Sequence, residues 1–221
     1  MTRAAVLWTG GKDSFQALCS AREHLEVSRL VTFTADPPER FLAHPAECMA
    51  AQAEALGITH QCVPLSTPLE QAYERAIDEL VAEGIEVLVT GDMDRVDGHE
   101  SWIEARAQGR CGVERPLWGV DRIAFLRSLV EGGTRALITL ARRGTPAEAL
   151  VGRELDQGLV DLLAEHHGQN GFDACGENGE YHTCVLEGPG FRFGLTLSGV
   201  RTVTTGNYSH VQFDEVGRAY P

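Results

Sequence analysis

The chain has 221 residues, a mass of 24.0 kDa and 43% hydrophobic residues, which suits one large domain or a main domain with a smaller second one and excludes disordered, collagenous and short disulfide-stapled chains. Nineteen basic against 32 acidic residues give a net charge of −13 spread along the whole length; the only adjacent basic pair is Arg142-Arg143, so no nucleic-acid partner is expected. The short apolar run after Met1-Thr2-Arg3 is too brief for a signal peptide and no 18 uncharged apolar residues run together, so the expectation is a cytoplasmic protein without a membrane partner.

Ala4 to Thr9 reads as a buried first strand reaching a tight turn at Gly10-Gly11, and the apolar period from Asp13 onward predicts a helix. Leu30 to Thr34 reads as a second strand closed by Asp36-Pro37-Pro38. Ala46 to Leu56 is an alanine-rich helix stopped by Gly57, and His60 to Leu65 a third strand. Pro68 opens a helix running to about Glu83, and Ile85 to Thr90 forms a fourth strand ending in Gly91-Asp92. Strands alternating with helices predict an α/β fold, a Rossmann-like parallel sheet with helices on both faces.

Beyond Asp92 a polar loop with Asp94, Asp97, Gly98 and His99 precedes a helix at Glu100 to Gln108, and Asp121 to Glu131 forms another. Thr134 to Ala141 is either a fifth parallel strand or the first element of a second domain. Asp156 to His167 is helical in period, and Val200 to Thr205 with Tyr208 to Phe213 reads as a hairpin across Gly206-Asn207. The expected organisation is a nucleotide-binding domain over 1–131 and a smaller α+β domain over 132–221 that binds substrate. Six cysteines without a C-x-x-C pair are expected to be reduced thiols.

Chemistry concentrates first in Thr9-Gly10-Gly11-Lys12-Asp13-Ser14, between a strand and a helix, where backbone N–H groups converge on an anion. The glycines admit phosphate oxygens, Lys12 adds a point charge, Ser14 a hydroxyl, and Asp13 is placed to hold Mg²⁺ directly or through water. Lys12 is the only lysine beside 18 arginines, which marks the compact ammonium as important there. The run fits neither G-x-x-x-x-G-K-S/T nor G-x-G-x-x-G. A second cluster, Glu177, Glu180 and His182, can bind a metal, accept from ammonium or serve as general base. Gly91 and Asp92 end the strand expected to flank the first, so they should meet the same ligand.

The loop resembles the pyrophosphate-binding S/T-G-G-x-D-S of the N-type ATP pyrophosphatases, the PP-loop group of adenine nucleotide alpha hydrolase-like folds. Cys175-Gly176-Glu177-Asn178-Gly179-Glu180-Tyr181-His182-Thr183 resembles the G-E-x-G-E-Y/F-H-T signature of the diphthine-ammonia ligase family within that group. Pro116-Leu117-Trp118 and Leu150-Val151-Gly152-Arg153 also resemble that family's blocks, so the likeness spans nearly the whole chain.

The resemblance implies an ATP-dependent ligase that adenylates a carboxylate, releases pyrophosphate and lets ammonia displace AMP to form an amide, with Mg²⁺ required. It implies phosphate and nucleotide contacts at Thr9, Gly10, Gly11, Lys12, Asp13, Ser14, Gly91 and Asp92, adenine contacts at Phe33 and Thr34, and catalytic roles for Lys12, Asp13, Glu177, Glu180 and His182. The carboxylate is a small molecule or a modified protein residue, diphthine being the one in the family's name. The alternatives are a PP-loop enzyme of the tRNA-thiolation type, which should bring a basic surface and a cysteine pair, and a non-catalytic nucleotide-binding module. Self-association is compatible with the sequence.

Overall fold

Ala4, Ala5 and Val6 of β1 (Arg3–Leu7) have no solvent exposure, because this strand is paired on both sides. β2 (Glu26–Ala35) and β4 (Val87–Val89) flank it, all parallel, and β3 (Thr59–Leu65) and β5 (Gly112–Glu114) complete a five-stranded sheet of order β3-β2-β1-β4-β5. The order reverses at β1, so the ends of β1 and β4 form the topological switch point at which such sheets bind ligands. The computed structural model describes residues 1–36, 41–95 and 102–220. Pro37-Pro38 and the expected loop and helix start at Asp97, Gly98, His99 and Glu100 lie outside them.

The chain forms two compact units. The first comprises the described residues of Met1–Thr9, Asp13–Arg40 and Ile58–Gly119; the second comprises Gly10–Lys12, Phe41–Gly57 and the described residues from Val120 onward. The expected division at residue 131 therefore differs from the observed one. The chain passes through the second unit twice before Val120, and α5 (Arg122–Glu131) packs with α6 (Gln157–His166) of that unit.

In the first unit, α1 (Lys12–Ala21) buries Phe15, Ala17, Leu18 and Ala21 at helical spacing. On α3 (Leu69–Ala82), Ile77 and Leu80 join Ala5, Val31 and Leu88 of the sheet and Ile103 of α4 (Trp102–Ala107) in one core. Burying each such large side chain contributes about 1.5–3 kcal/mol.

The second unit holds α2 (Ala46–Leu56), which ends where expected at Gly57, a left-handed cap with φ 67°. Its antiparallel sheet has order β7-β6-β10-β9, made of β6 (Arg135–Arg142), β7 (Tyr181–Glu187), β9 (Arg201–Thr205) and β10 (Tyr208–Gln212), and β8 (Gly194–Ser198) pairs with β11 (Glu215–Ala219). The segment 134–141 thus belongs to the antiparallel sheet of the second unit and is not a fifth parallel strand. The fifth parallel strand is β5, whose run Gly112-Val113-Glu114 holds a single large apolar residue and leaves no pattern in the sequence. Cys48 and Ala55 of α2 pack with Leu137, Leu186, Leu195 and Val211 in this unit's core.

Candidate functional site

Three loop residues, Gly10 to Lys12, are fixed within the second unit. Gly10 takes φ 72°, open to glycine at little cost, and a Cβ there would stand 2.2 Å from Gln52 Oε1. Its carbonyl accepts from Gln52 Nε2 at 2.9 Å and from the Val185 N–H at 2.9 Å, while the same Gln52 amide donates to the Val185 carbonyl at 2.7 Å. Gln52 is fully buried, so one side chain of α2 ties the glycine turn to β7. With the Gly10 carbonyl held toward β7, the planar trans peptide turns the Gly11 N–H to the opposite side.

Lys12 begins α1, one residue earlier than expected, and is 2% exposed. Its backbone N–H donates to Thr183 Oγ1 at 3.0 Å, its ammonium donates to the Cys175 carbonyl at 2.5 Å, and Nζ stands 5.2 Å from the centre of the Tyr181 ring. The two motifs singled out in the sequence thus meet at this side chain. Gly11 lies against the same strand, since a Cβ on it would be 3.2 Å from the Thr183 carbonyl oxygen and 3.6 Å from His44 Cε1.

The signature segment separates its two glutamates. Glu180 is 1% exposed; Oε1 accepts from the Asp173 N–H at 2.9 Å and Oε2 from the Asn178 N–H at 3.0 Å, so the carboxylate closes its own loop. Tyr181 donates its hydroxyl to the Ala174 carbonyl at 2.6 Å, and Gly176 at φ 82° admits the Tyr181 carbonyl where a Cβ would come within 2.5 Å. Glu177 is half-buried in the field of Arg122. Burial works against the Arg122 charge, but the hydrogen bond to Asp173 at 3.0 Å and the charges of Asp173 and Glu177 outweigh it and hold the guanidinium proton more firmly.

His182, half-buried on β7, meets His44 edge to face, with ring centres 5.1 Å apart at 78°. Burial first, then His182 and Lys12, lower the His44 pKa to about 3, so this ring is neutral near neutral pH. Neither His44 nor Gln52 carries a signal in the local sequence. Both acquire their places because α2 and the residues before it pack on the glycine turn.

In the first unit, Ser14 Oγ accepts from the Thr9 N–H at 3.4 Å and lies 3.3 Å from Thr9 Oγ1. Gly91, after β4, lies against the start of α1, where a Cβ would come 2.6 Å from the Asp13 carbonyl carbon and 2.8 Å from the Ser14 nitrogen. Asp92 is half-buried and its pKa is raised; burial and the Asp13 charge raise it, while the Thr90 hydrogen bond and Arg115 oppose them. Asp13 and Asp92 are therefore close enough to sense each other, an all-oxygen pair of the type that holds Mg²⁺ with several of its waters retained. Among the described residues no group of three or more His, Cys, Asp or Glu side chains is arranged to hold a metal.

Phe33 and Thr34 sit near the end of β2, paired with Val63 and Pro64. The Phe33 ring turns to α3 and meets Tyr73 edge on at 5.1 Å. Thr32, before it, donates to the Trp8 carbonyl at 2.5 Å and so braces the end of β1.

Residues 2–114 match the family model for the diphthamide synthase N-terminal domain, and residues 121–215 match that for the diphthamide synthase C-terminal domain. No curated protein matches the chain. The crystal structure of a predicted subunit of tRNA methyltransferase from Methanocaldococcus jannaschii is similar over 86% of this chain and 98% of that one, with 15% identity and a TM-score of 0.45. No helix among the described residues is long and apolar enough to cross a membrane.

Proposed function

The chain belongs to the diphthamide synthase family, whose members are ATP-utilising PP-loop enzymes, and on that premise we propose that it is an amide ligase forming AMP and pyrophosphate. In the first step a substrate carboxylate attacks the α-phosphorus of ATP, forming the acyl–adenylate bond and breaking the bond to pyrophosphate. In the second, ammonia attacks the acyl carbon, AMP leaves, and one proton passes to a base. The observation that carries the reading is the meeting of both motifs at Lys12, whose backbone bonds Thr183 and whose ammonium bonds Cys175.

Charge builds on the departing pyrophosphate and on the α-phosphoryl oxygens. Loop amides and Lys12 bind that charge more tightly in the transition state than in bound ATP. A phosphate oxygen is a stronger acceptor for an ammonium than the neutral Cys175 carbonyl, so Lys12 exchanges one for the other as nucleotide binds. Asp13 and Asp92 are the residues that would hold Mg²⁺, which supplies further neutralisation of the triphosphate when bound. Thr9, Ser14 and Gly91 shape the phosphate side, and Phe33 and Thr34 the adenine side.

Glu177 and His182 serve the acyl and ammonia half of the reaction, His182 as the proton acceptor, whereas Glu180 holds the loop that presents them. The net charge of −13 and the lack of a C-x-x-C pair in the sequence favour a small molecule or protein residue over tRNA. A screen of carboxylates for AMP and pyrophosphate release dependent on ammonia tests the reading, with products identified by phosphorus NMR. ADP and orthophosphate as primary products would overturn it.

A further inference from the structure

We infer that His44 is the residue that receives ammonia beside the glycine-lysine turn, an assignment that rests on the amide-ligase reading above. The ring stands just before α2, where Thr139 Oγ1 donates to the neighbouring Ala43 carbonyl at 2.6 Å and fixes the backbone. Its ring lies against Gly11 and meets the His182 ring edge to face. Its Nδ1 atom is buried and has no hydrogen-bond partner among the described residues. Buried ring nitrogens are nearly always satisfied, so this one points to a small polar occupant.

The neighbours decide which occupant. Burial keeps the ring uncharged, and the imidazole of His182 on β7 and the ammonium of Lys12 on α1 act in the same direction. A neutral imidazole beside an ammonium offers an acceptor lone pair but repels a second cation. Such a place takes NH₃ in preference to NH₄⁺. Ammonia can donate one N–H to Nδ1 and keep its own lone pair free for an acyl carbon. Water fits the same volume, so the experiment must separate the two.

Protein labelled with nitrogen-15 in its histidine rings is titrated with ammonium chloride, and in parallel with potassium chloride at equal ionic strength, in the absence of ATP and carboxylate. The His44 resonance is assigned by its disappearance in His44→Phe, or in His44→Asn should the first fail to fold. A saturable shift of Nδ1 with ammonium chloride alone is expected, with a midpoint that stays constant at two pH values when expressed as free NH₃. An unmoved resonance, or an equal shift with potassium chloride, would overturn the assignment. Because the readout needs no turnover, an ammonia-dependent shift in a protein that releases no AMP would keep the site and retire the ligase reading. An unmoved resonance in an active ligase would do the reverse.

Discussion

The ammonium of Lys12 donates to the main-chain carbonyl of Cys175 at 2.5 Å, which joins the only lysine of the chain to the segment that carries Glu177 and His182. On the proposed ligase reading, phosphate binding and the placement of Glu177 and His182 would be coupled through this one side chain. The coupling has a chemical consequence. Lys12 is 2% exposed whereas Met1 is 84% exposed, so an amine-acylating reagent should label the N-terminus at least about tenfold faster than Lys12 in the ligand-free protein, by peptide mapping. Lys12→Arg should lower turnover about 10²-fold, since a planar guanidinium does not fit the turn that an ammonium occupies.

Gly10 and Gly133 both have positive φ, 72° and 78°, yet a Cβ on Gly10 would meet Gln52 at 2.2 Å whereas one on Gly133 would meet nothing within 4 Å. Alanine at each position carries a similar backbone cost, so the difference isolates the contact. Gly10→Ala should be less stable than Gly133→Ala by about 1–3 kcal/mol in denaturant unfolding.

The two signature glutamates should part on substitution. Glu180→Gln replaces an acceptor oxygen with an amide that faces a backbone N–H, and should cost about 1–3 kcal/mol of stability. Glu177→Gln should leave stability within about 0.5 kcal/mol but lower ammonia-dependent turnover about 10²-fold. Equal destabilisation of both variants would remove the distinction.

His44 makes stability depend on pH with a definite sign. Its folded pKa of about 3 lies below the ordinary value, so between the two the unfolded chain binds the proton that the folded chain refuses. Stability is unaffected by this group above its ordinary pKa and falls as pH drops below it, by at most about 1.4 kcal/mol per unit. Between about pH 7 and about pH 5 the unsubstituted protein should lose about 1–2 kcal/mol more than His44→Asn, measured by urea unfolding.

Much of this was legible in the residues. The apolar run at Ala4–Val6, the glycine turn and the alanine-rich α2 with its Gly57 stop carry strong local signals, and the first four strands and the hairpin at Gly206-Asn207 appear at or within a few residues of their expected places. β4 is as short but lies in the apolar run from Ile85, whereas β5, Gly112-Val113-Glu114, has one large apolar residue and no run to read. The assignment of Gly10–Lys12 and Phe41–Gly57 to the second unit arises from packing remote in sequence, which no local pattern encodes. For the same reason no local pattern marks His44 or Gln52, and the run Glu177-Asn178-Gly179-Glu180 does not reveal that two backbone N–H groups of its own loop close on Glu180.

The proposed reaction activates a carboxylate by attaching it to the adenylyl group of ATP. Its most direct measurement uses a substrate carboxylate labelled with oxygen-18, turned over with ATP and ammonia, followed by mass spectrometry of the products. One labelled oxygen should appear in the phosphate of AMP, carried there when ammonia breaks the acyl–oxygen bond. Label found in orthophosphate, or absent from AMP after full turnover, would contradict the account.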